Sequence, residues 1–197
     1  MWFTKQIALG LCLALLMVSG GGCRPRPLPS PVEGVTLQPG RYLEGYYFAP
    51  GFAPGQATYA LEPFTVEEAR GIDANTVADL LQTELAKAWS ANGLKLKPGK
   101  GFCRVSGVVR QVKVQGSLFR FVMGKLSILL EVSGAITRDG ETLFAFSDLI
   151  QATSPLKPGP AAPKEKELLV GQAVRSFLNH LLTELLLQST PGPEVEG

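Results

Sequence analysis

The stretch KLSILLEVSGAITRDGETLFAFSDLIQAT, residues 125–153, decides the fold of this chain. Apolar and polar residues alternate along its first half, and the apolar positions are Leu126, Ile128, Leu130, Val132 and Ile136. The polar positions between them are Lys125, Ser127, Glu131, Ser133 and Thr137. This period of two predicts a strand with one buried face and one mostly polar face. Asp139-Gly140 predicts a tight hairpin turn, after which a second strand runs from Thr142 to about Thr153.

Two more strands are predicted before this hairpin. Residues 57–64 (ATYALEPF) alternate in polarity, and Pro63 ends the strand because proline cannot donate to a ladder of hydrogen bonds. Residues 103–114 (CRVSGVVRQVKV) are rich in β-branched side chains. The apolar phase of this second strand changes near Arg110, which indicates a β-bulge.

Two amphipathic helices complete the pattern. The first is predicted from Asp73 or Asn75, both good N-caps, to about Ala91. Its apolar stripe consists of Val77, Leu80, Leu81, Leu85 and Trp89. The second is predicted from about Glu165 to Gln188, with an apolar side of Val170, Val174, Phe177, Leu178, Leu181, Leu182 and Leu185. Its outward-facing residues are predicted to be Arg175, Asn179 and Glu184.

These elements predict an α+β fold. We expect a two-layer sandwich in which a four-stranded, mostly antiparallel sheet carries both helices on one face, in the order β-α-β-β-β-α. Membrane association is an alternative for the leucine-rich last helix. Its polar side lacks the lysines and arginines of interfacial helices, which favours packing on the sheet.

Residues 1–22 are predicted to be a signal peptide. Lys5 precedes a 12-residue apolar run, Ile7–Val18, which is shorter than the roughly 20 residues that span a bilayer. Small residues at positions 19–22 then lead to Cys23. This arrangement resembles the lipobox of bacterial lipoproteins, in which the cysteine thiol is joined to diacylglycerol, although Gly20 stands where leucine is usual. The alternative is an ordinary secretory cut that leaves Cys23 as a free or disulfide-bonded thiol.

The lipoprotein resemblance implies a place in the cell. In such proteins aspartate after the cysteine signals retention in the inner membrane, whereas this chain has Arg24. The resemblance therefore implies a palmitate-bearing anchor in the outer membrane, with the protein facing the periplasm. Two or three acyl chains hold a soluble domain durably on a membrane, at about 0.8 kcal/mol per buried CH2.

The predicted domain organisation follows from composition. Residues 23–40 carry prolines at alternate positions and are predicted to be an extended tether, with an interaction motif as the alternative. If fully extended, the tether would hold the domain roughly 50 Å from the bilayer. Residues 41–188 are predicted to form a single α+β domain, and residues 189–197 a disordered tail.

The inventory of reactive side chains is small. The formal net charge of +2 argues against nucleic acid as the main partner, because phosphate binding needs a basic excess on one face. His180 is the one histidine, which excludes zinc sites that need two, and it is interpreted as a helix-boundary residue rather than a base. Cys103 is interpreted as a buried, inert thiol. We therefore expect no enzymatic activity, no cofactor and no bound metal.

The least ordinary stretch is GSLFRFVMG, residues 116–124, where a polar turn between strands would be usual. Its apolar residues are Leu118, Phe119, Phe121, Val122 and Met123. They are either buried under the last helix or exposed as a contact site for lipid or another protein, because exposed apolar patches tend to mark interfaces.

The core RFVMGKLSILLEVSGAITRDGETLFAF, with the strand that ends in Pro-Phe, the first helix and Cys23, resembles bacterial outer-membrane lipoproteins known only as a domain of unknown function. The similarity covers roughly residues 57–187. More distantly the chain resembles lipopolysaccharide-assembly and lipid-transport auxiliary lipoproteins. The resemblance implies a non-enzymatic envelope lipoprotein, anchored through Cys23, that binds or scaffolds another envelope component. The alternative that it implies is an accessory protein that handles lipid or lipopolysaccharide.

Overall fold

The computed structural model of the chain describes residues 30–97, 102–115, 126–154 and 163–188. Within these ranges eight strands form one sheet, and two long helices accompany it. The chain order is β1 (Gly45–Phe48), β2 (Thr58–Leu61), β3 (Thr65–Val66), β4 (Ala69–Arg70), α1 (Ala74–Ala91), β5 (Lys95–Leu96), β6 (Cys103–Gln115), β7 (Ser127–Arg138), β8 (Glu141–Thr153) and α2 (Pro163–Gln188). The predicted α+β class is confirmed.

The sheet is larger than predicted and is mixed rather than mostly antiparallel, so the expectation of four strands is wrong. The strand order is β1-β8-β7-β6-β2-β5, and β3 and β4 also pair with β6. The pairs β1–β8, β8–β7 and β7–β6 are antiparallel, whereas β2, β3 and β4 run parallel to β6, and β5 runs parallel to β2. The added strands have two to four residues each, too few for a period of two to be visible in the sequence.

The predicted hairpin is confirmed. Strands β7 and β8 pair from Arg138 and Glu141 at the turn to Ser127 and Thr153 at the far end. Both turn residues, Asp139 and Gly140, have positive φ angles of 51° and 85°, which is the geometry that an Asp-Gly turn favours. The predicted bulge is also present, since the register of β6 against β7 shifts between Val109 and Gln111.

One face of the sheet, the inner face, carries both helices. Its side chains share a single core with the apolar stripes of α1 and α2, in which Trp89, Phe144, Phe146 and Phe177 are fully buried. Helix α1 begins where it is predicted to begin, because the Asp73 carboxylate accepts a hydrogen bond of 2.9 Å from the backbone N–H of Thr76. The predicted sandwich of a sheet and helices is thus present, with a larger sheet.

Two glycines of the inner face let aromatic rings lie flat against the strands. Gly107 of β6 and Gly134 of β7 are paired directly. A Cβ atom on Gly134 would lie 2.6 Å from Cζ of Phe146, and one on Gly107 would lie 2.8 Å from Cζ of Phe64. Because real Cβ atoms do not approach so closely, both positions require glycine.

The opposite face, the outer face, is covered more than the alternation predicts. Ser133, Ala135, Ala145 and Ser147 are buried on it. The cover is a segment before β1, the N-terminal strap (residues 30–38), whose Val32, Val35 and Leu37 pack against Ala135, Ala145 and Tyr47. Gln38 then pairs with Tyr46 at the edge of the sheet. The prediction of a mostly polar, solvated second face is therefore wrong at this end, because a segment remote in sequence lies over it.

Candidate functional site

Helices α1 and α2 lie side by side and leave a groove between them. The helix groove is lined by Glu84, Lys87, Ala88, Ala91 and Asn92 of α1 and its C-terminal cap, and by Arg175, Leu178, Asn179, Leu182, Thr183, Leu186 and Leu187 of α2. It consists of two adjoining open depressions, of about 390 and 270 Å³, which share Asn179. Depressions that are this open to solvent can receive a few side chains of a partner.

The floor and one end of the helix groove are apolar. Leu178 and Leu182 are buried beneath it, and Leu186 packs partly against the same core. Leu187 at its end is 42% exposed, although it is a large hydrophobic side chain. Arg175 and Asn179 line the groove and are exposed, as predicted from the sequence. The helices thus present an accessible apolar strip to a ligand.

One rim of the helix groove is charged. Lys87 donates a hydrogen bond of 2.9 Å to Glu84, and a guanidinium nitrogen of Arg175 lies 3.7 Å from the same carboxylate. The hydrogen bond from Lys87, together with the charges of Lys87 and Arg175, holds the pKa of Glu84 below its ordinary value. Lys87 and Arg175 remain more than half exposed, so their remaining N–H donors can reach an incoming anionic or polar group.

His180 lies on α2 but outside the helix groove, where its Nδ1 atom is 2.9 Å from Oδ2 of Asp148. Asp148 is on the inner face of β8 and is 2% exposed, and its other oxygen accepts a bond of 3.3 Å from the backbone N–H of Glu44. Burial raises the pKa of the Asp148 carboxyl, while the hydrogen bond and charge of His180 oppose that rise. The pair therefore joins α2 to the sheet, which agrees with a structural interpretation of His180.

Glu184 is predicted to face solvent, and this prediction is wrong. The residue is fully buried, and its Oε2 atom accepts hydrogen bonds of 2.8 Å from the backbone N–H groups of both Arg41 and Tyr42. Gln188, one turn further along α2, donates to the other oxygen at 2.9 Å. The carboxylate thus completes the backbone hydrogen bonding of the turn that leads into β1.

The sequence analysis did not predict that Asp148 and Glu184 are buried, although two signals were available. Asp148 lies an even number of residues from Phe144, Phe146 and Ile150 in β8, so its carboxylate is on the same buried face as their side chains. Glu184 is four residues after His180, so the two share one side of α2.

The residues predicted to carry function lie outside the described part of the chain. They are Cys23, Leu118, Phe119, Phe121, Val122 and Met123. The predicted signal peptide, residues 23–29 of the predicted tether and the tail at 189–197 are outside it as well. Cys103 is described: its thiol is free and 2% exposed, and burial raises its pKa, as expected for an unreactive thiol.

No group of three or more His, Cys, Asp or Glu side chains is placed to hold a metal ion in the described ranges. No helix within the same ranges is long and apolar enough to cross a membrane.

No family model and no curated protein sequence matches the chain. Solved structures do resemble it. Protein XCC0632 of Xanthomonas campestris, from the family designated DUF330, aligns with a TM-score of 0.50 and 10% identity over 72% of this chain and 90% of that chain. The minor lipoprotein of Acinetobacter baumannii aligns with a TM-score of 0.47 and 14% identity, over 68% of this chain and 96% of that one. Rare lipoprotein B of Shewanella oneidensis aligns with a TM-score of 0.41 and 14% identity, over 63% of this chain and 95% of that chain.

Proteins described as bacterial lipoproteins, and one protein of a family designated as a domain of unknown function, are thus among the structural neighbours of this chain. At 10–14% identity, what the comparison shows is the similarity of the fold.

Proposed function

We propose that this chain is a non-enzymatic lipoprotein of the cell envelope, anchored in the outer membrane through Cys23 and facing the periplasm, which binds another envelope component in the helix groove. The anchor rests on the sequence: a short apolar run, four small residues and then cysteine. The binding role rests on one observation of the structure. The helix groove combines a buried leucine floor, an exposed Leu187 and a charged rim.

That combination is typical of a protein interface, in which an apolar centre is surrounded by polar residues that set orientation. Lys87 and Arg175 already share Glu84, so the rim carries one more positive than negative charge at this point. A partner segment with a few apolar side chains and a flanking carboxylate fits this arrangement.

The anchor is tested by metabolic labelling with radioactive palmitate. The full chain should incorporate label and fractionate with membranes, while a Cys23→Ser variant should do neither. A Cys23→Ser variant that fractionates like the parent would contradict the anchor.

The helix groove is tested by a photo-crosslinking amino acid at Ala91, on its rim, in intact cells. The matched control is the same amino acid at Ser90, an exposed residue of α1 that does not line the groove. We expect a discrete crosslinked product from position 91 that is absent from position 90 and is lost in the Cys23→Ser background. Equal products from both positions would contradict binding in the groove.

Lipid handling is the second candidate, since the groove volume and its leucines also suit an acyl chain. It predicts lipid bound to the purified soluble domain, detected by mass spectrometry. A domain that carries no lipid, together with the crosslink at Ala91, would leave protein binding as the function.

A further inference from the structure

The N-terminal strap fixes the point at which the chain reaches the folded domain. Ser30 bonds through its Oγ atom to the backbone of Val32, and Val32 packs beside Leu37 on the outer face of the sheet. The outer face is opposite the face that carries α1 and α2. The chain from the predicted anchor therefore arrives on the side of the domain away from the helix groove.

Seven peptide units separate Cys23 from Ser30. A chain of that length spans at most about 25 Å when fully extended, and about 22 Å in the polyproline conformation that its alternating prolines favour. The predicted tether of residues 23–40 would have reached roughly 50 Å. Because residues 32–38 are held on the sheet, the largest distance that the chain allows between the bilayer and the domain is about half that value.

The thickness of the sandwich is close to the full length of the chain between Cys23 and Ser30. A helix layer packs about 10 Å from a sheet and adds a further 5–6 Å of helix radius, and the side chains of the outer face bring the total to about 20 Å. To place the helices against the bilayer, the tether would have to pass around the edge of the sheet and across this thickness. Nearly its whole extended length would be used, with the loss of its conformational freedom.

We propose that the outer face of the sheet lies against the headgroup layer of the membrane that holds the anchor, so that the helix groove points away from that membrane. This inference rests on the proposed lipidation of Cys23. The occupant of the outer face is the phospholipid surface itself, held there by the short connection from Ser30.

The chemistry of the uncovered part of the outer face suits headgroups. Arg110, which donates to the Ser133 hydroxyl at 3.0 Å, and Lys113 stand there with the carboxylates of Glu131 and of Glu68, which accepts a hydrogen bond of 3.0 Å from Gln111. Leu129 and Leu149 on the same face are only partly buried. The basic and acidic side chains can pair with the opposite charges of phospholipid headgroups, and the tether holds this face against them.

The test uses the acylated full-length protein in vesicles of phosphatidylethanolamine and phosphatidylglycerol that contain headgroup-nitroxide lipid. A dye is attached at Ser106→Cys, on the outer face, or at Thr83→Cys, on the exposed side of α1 away from the sheet. Cys103 is buried and Cys23 is acylated, so neither competes for the dye. We expect quenching at position 106 to exceed that at position 83 by roughly threefold or more, given a separation of about 20 Å.

Equal quenching at the two positions, or stronger quenching at position 83, would overturn the inference. Intact mass separates this failure from failure of the proposed function: a protein without acyl chains contradicts the anchor, whereas an acylated protein with equal quenching contradicts only the orientation. A long Gly-Ser insertion between Cys23 and Ser30 should reduce the difference between the two positions. A difference that persists unchanged would show that the tether-length argument is wrong.

Discussion

Replacement of Glu184 by alanine should destabilise the fold far more than its place near the end of a surface helix suggests. The carboxylate accepts two backbone N–H groups at 2.8 Å, from Arg41 and Tyr42, and is fully buried. A hydrogen bond to a charged group contributes about 1.5–3 kcal/mol. Arg41 and Tyr42 are exposed, so their freed N–H groups can turn to water, and about 1 kcal/mol per bond is the appropriate value here.

Two further effects contribute to the expected loss of stability. The one side-chain methylene that is lost, Cγ, was buried, at about 0.8 kcal/mol. The carboxylate also stands near the negative end of the α2 dipole, and its removal returns about 0.5 kcal/mol. The expected loss for Glu184→Ala is therefore about 2 kcal/mol in the free energy of unfolding. Glu184→Gln keeps the methylenes and one acceptor oxygen and should lose only about 1 kcal/mol.

The assay is urea unfolding of the chain without its signal peptide and with Cys23→Ser, followed by tryptophan fluorescence. Trp89 is fully buried and is the one tryptophan outside the predicted signal peptide, so it reports on the core. The matched control is Glu167→Ala, at an exposed position of the same helix, which should change stability by no more than about 0.5 kcal/mol. If Glu184→Ala and Glu167→Ala unfold at the same urea concentration, the role assigned to Glu184 is wrong. Faster amide hydrogen exchange at Arg41 and Tyr42 in Glu184→Ala would locate the loss.

Three other predictions follow from the same contacts. Gly134→Ala should lower the free energy of unfolding by more than about 3 kcal/mol, because the new Cβ meets the Phe146 ring and the backbone of β6. The control is Gly55→Ala, where nothing lies within 4 Å of the added Cβ. Equal thermal midpoints of the two variants would refute the packing argument. The raised pKa of Asp148 means that its stabilising effect is greatest below the unfolded value of about 3.8 and is lost as pH rises through the folded value. The free energy of unfolding of the parent, relative to that of Asp148→Asn, should therefore fall as the pH rises from the unfolded to the folded pKa of Asp148. A difference between the two proteins that stays constant with pH would contradict this. Asp73→Ala should cost about 1 kcal/mol through loss of the N-cap bond to Thr76, measured by the same unfolding assay, and no loss would show that the cap does not stabilise α1.

Long, periodic segments were predictable because their signals are local. The alternation before Asp139 and the Asp-Gly turn depend on neighbouring residues, and the structure confirms both the β7–β8 hairpin and the bulge near Arg110. Helix α1 has its N-cap at Asp73 and its buried stripe where the helical period places them. In each case the information needed lies within about a dozen consecutive residues.

The short strands depended on partners far along the chain. Strand β1 (Gly45–Phe48) exists because it pairs with β8, about a hundred residues later, and β3 and β4 exist because the edge of β6 is open to them. Two to four residues show no period of their own, so no local signal marks Gly45–Phe48 as a strand. The helix groove could not be predicted either, because it arises from the side-by-side packing of two helices that are separated by four strands in the chain.

By itself the sequence determined which residues share a face, where the hairpin turns and that Cys23 follows a signal-like segment. Only the tertiary structure decided what covers each face. Periodicity states that Ser133 and Ala135 alternate with core residues, but it does not state that Leu37 lies over Ala135. It predicts that Glu184 faces solvent, because nothing near Glu184 in the sequence indicates the two backbone N–H groups that donate to its buried carboxylate. The physical reason is that burial depends on which distant segment supplies the contact, and hydrogen-bond partners more than a hundred residues apart leave no local trace in the chain.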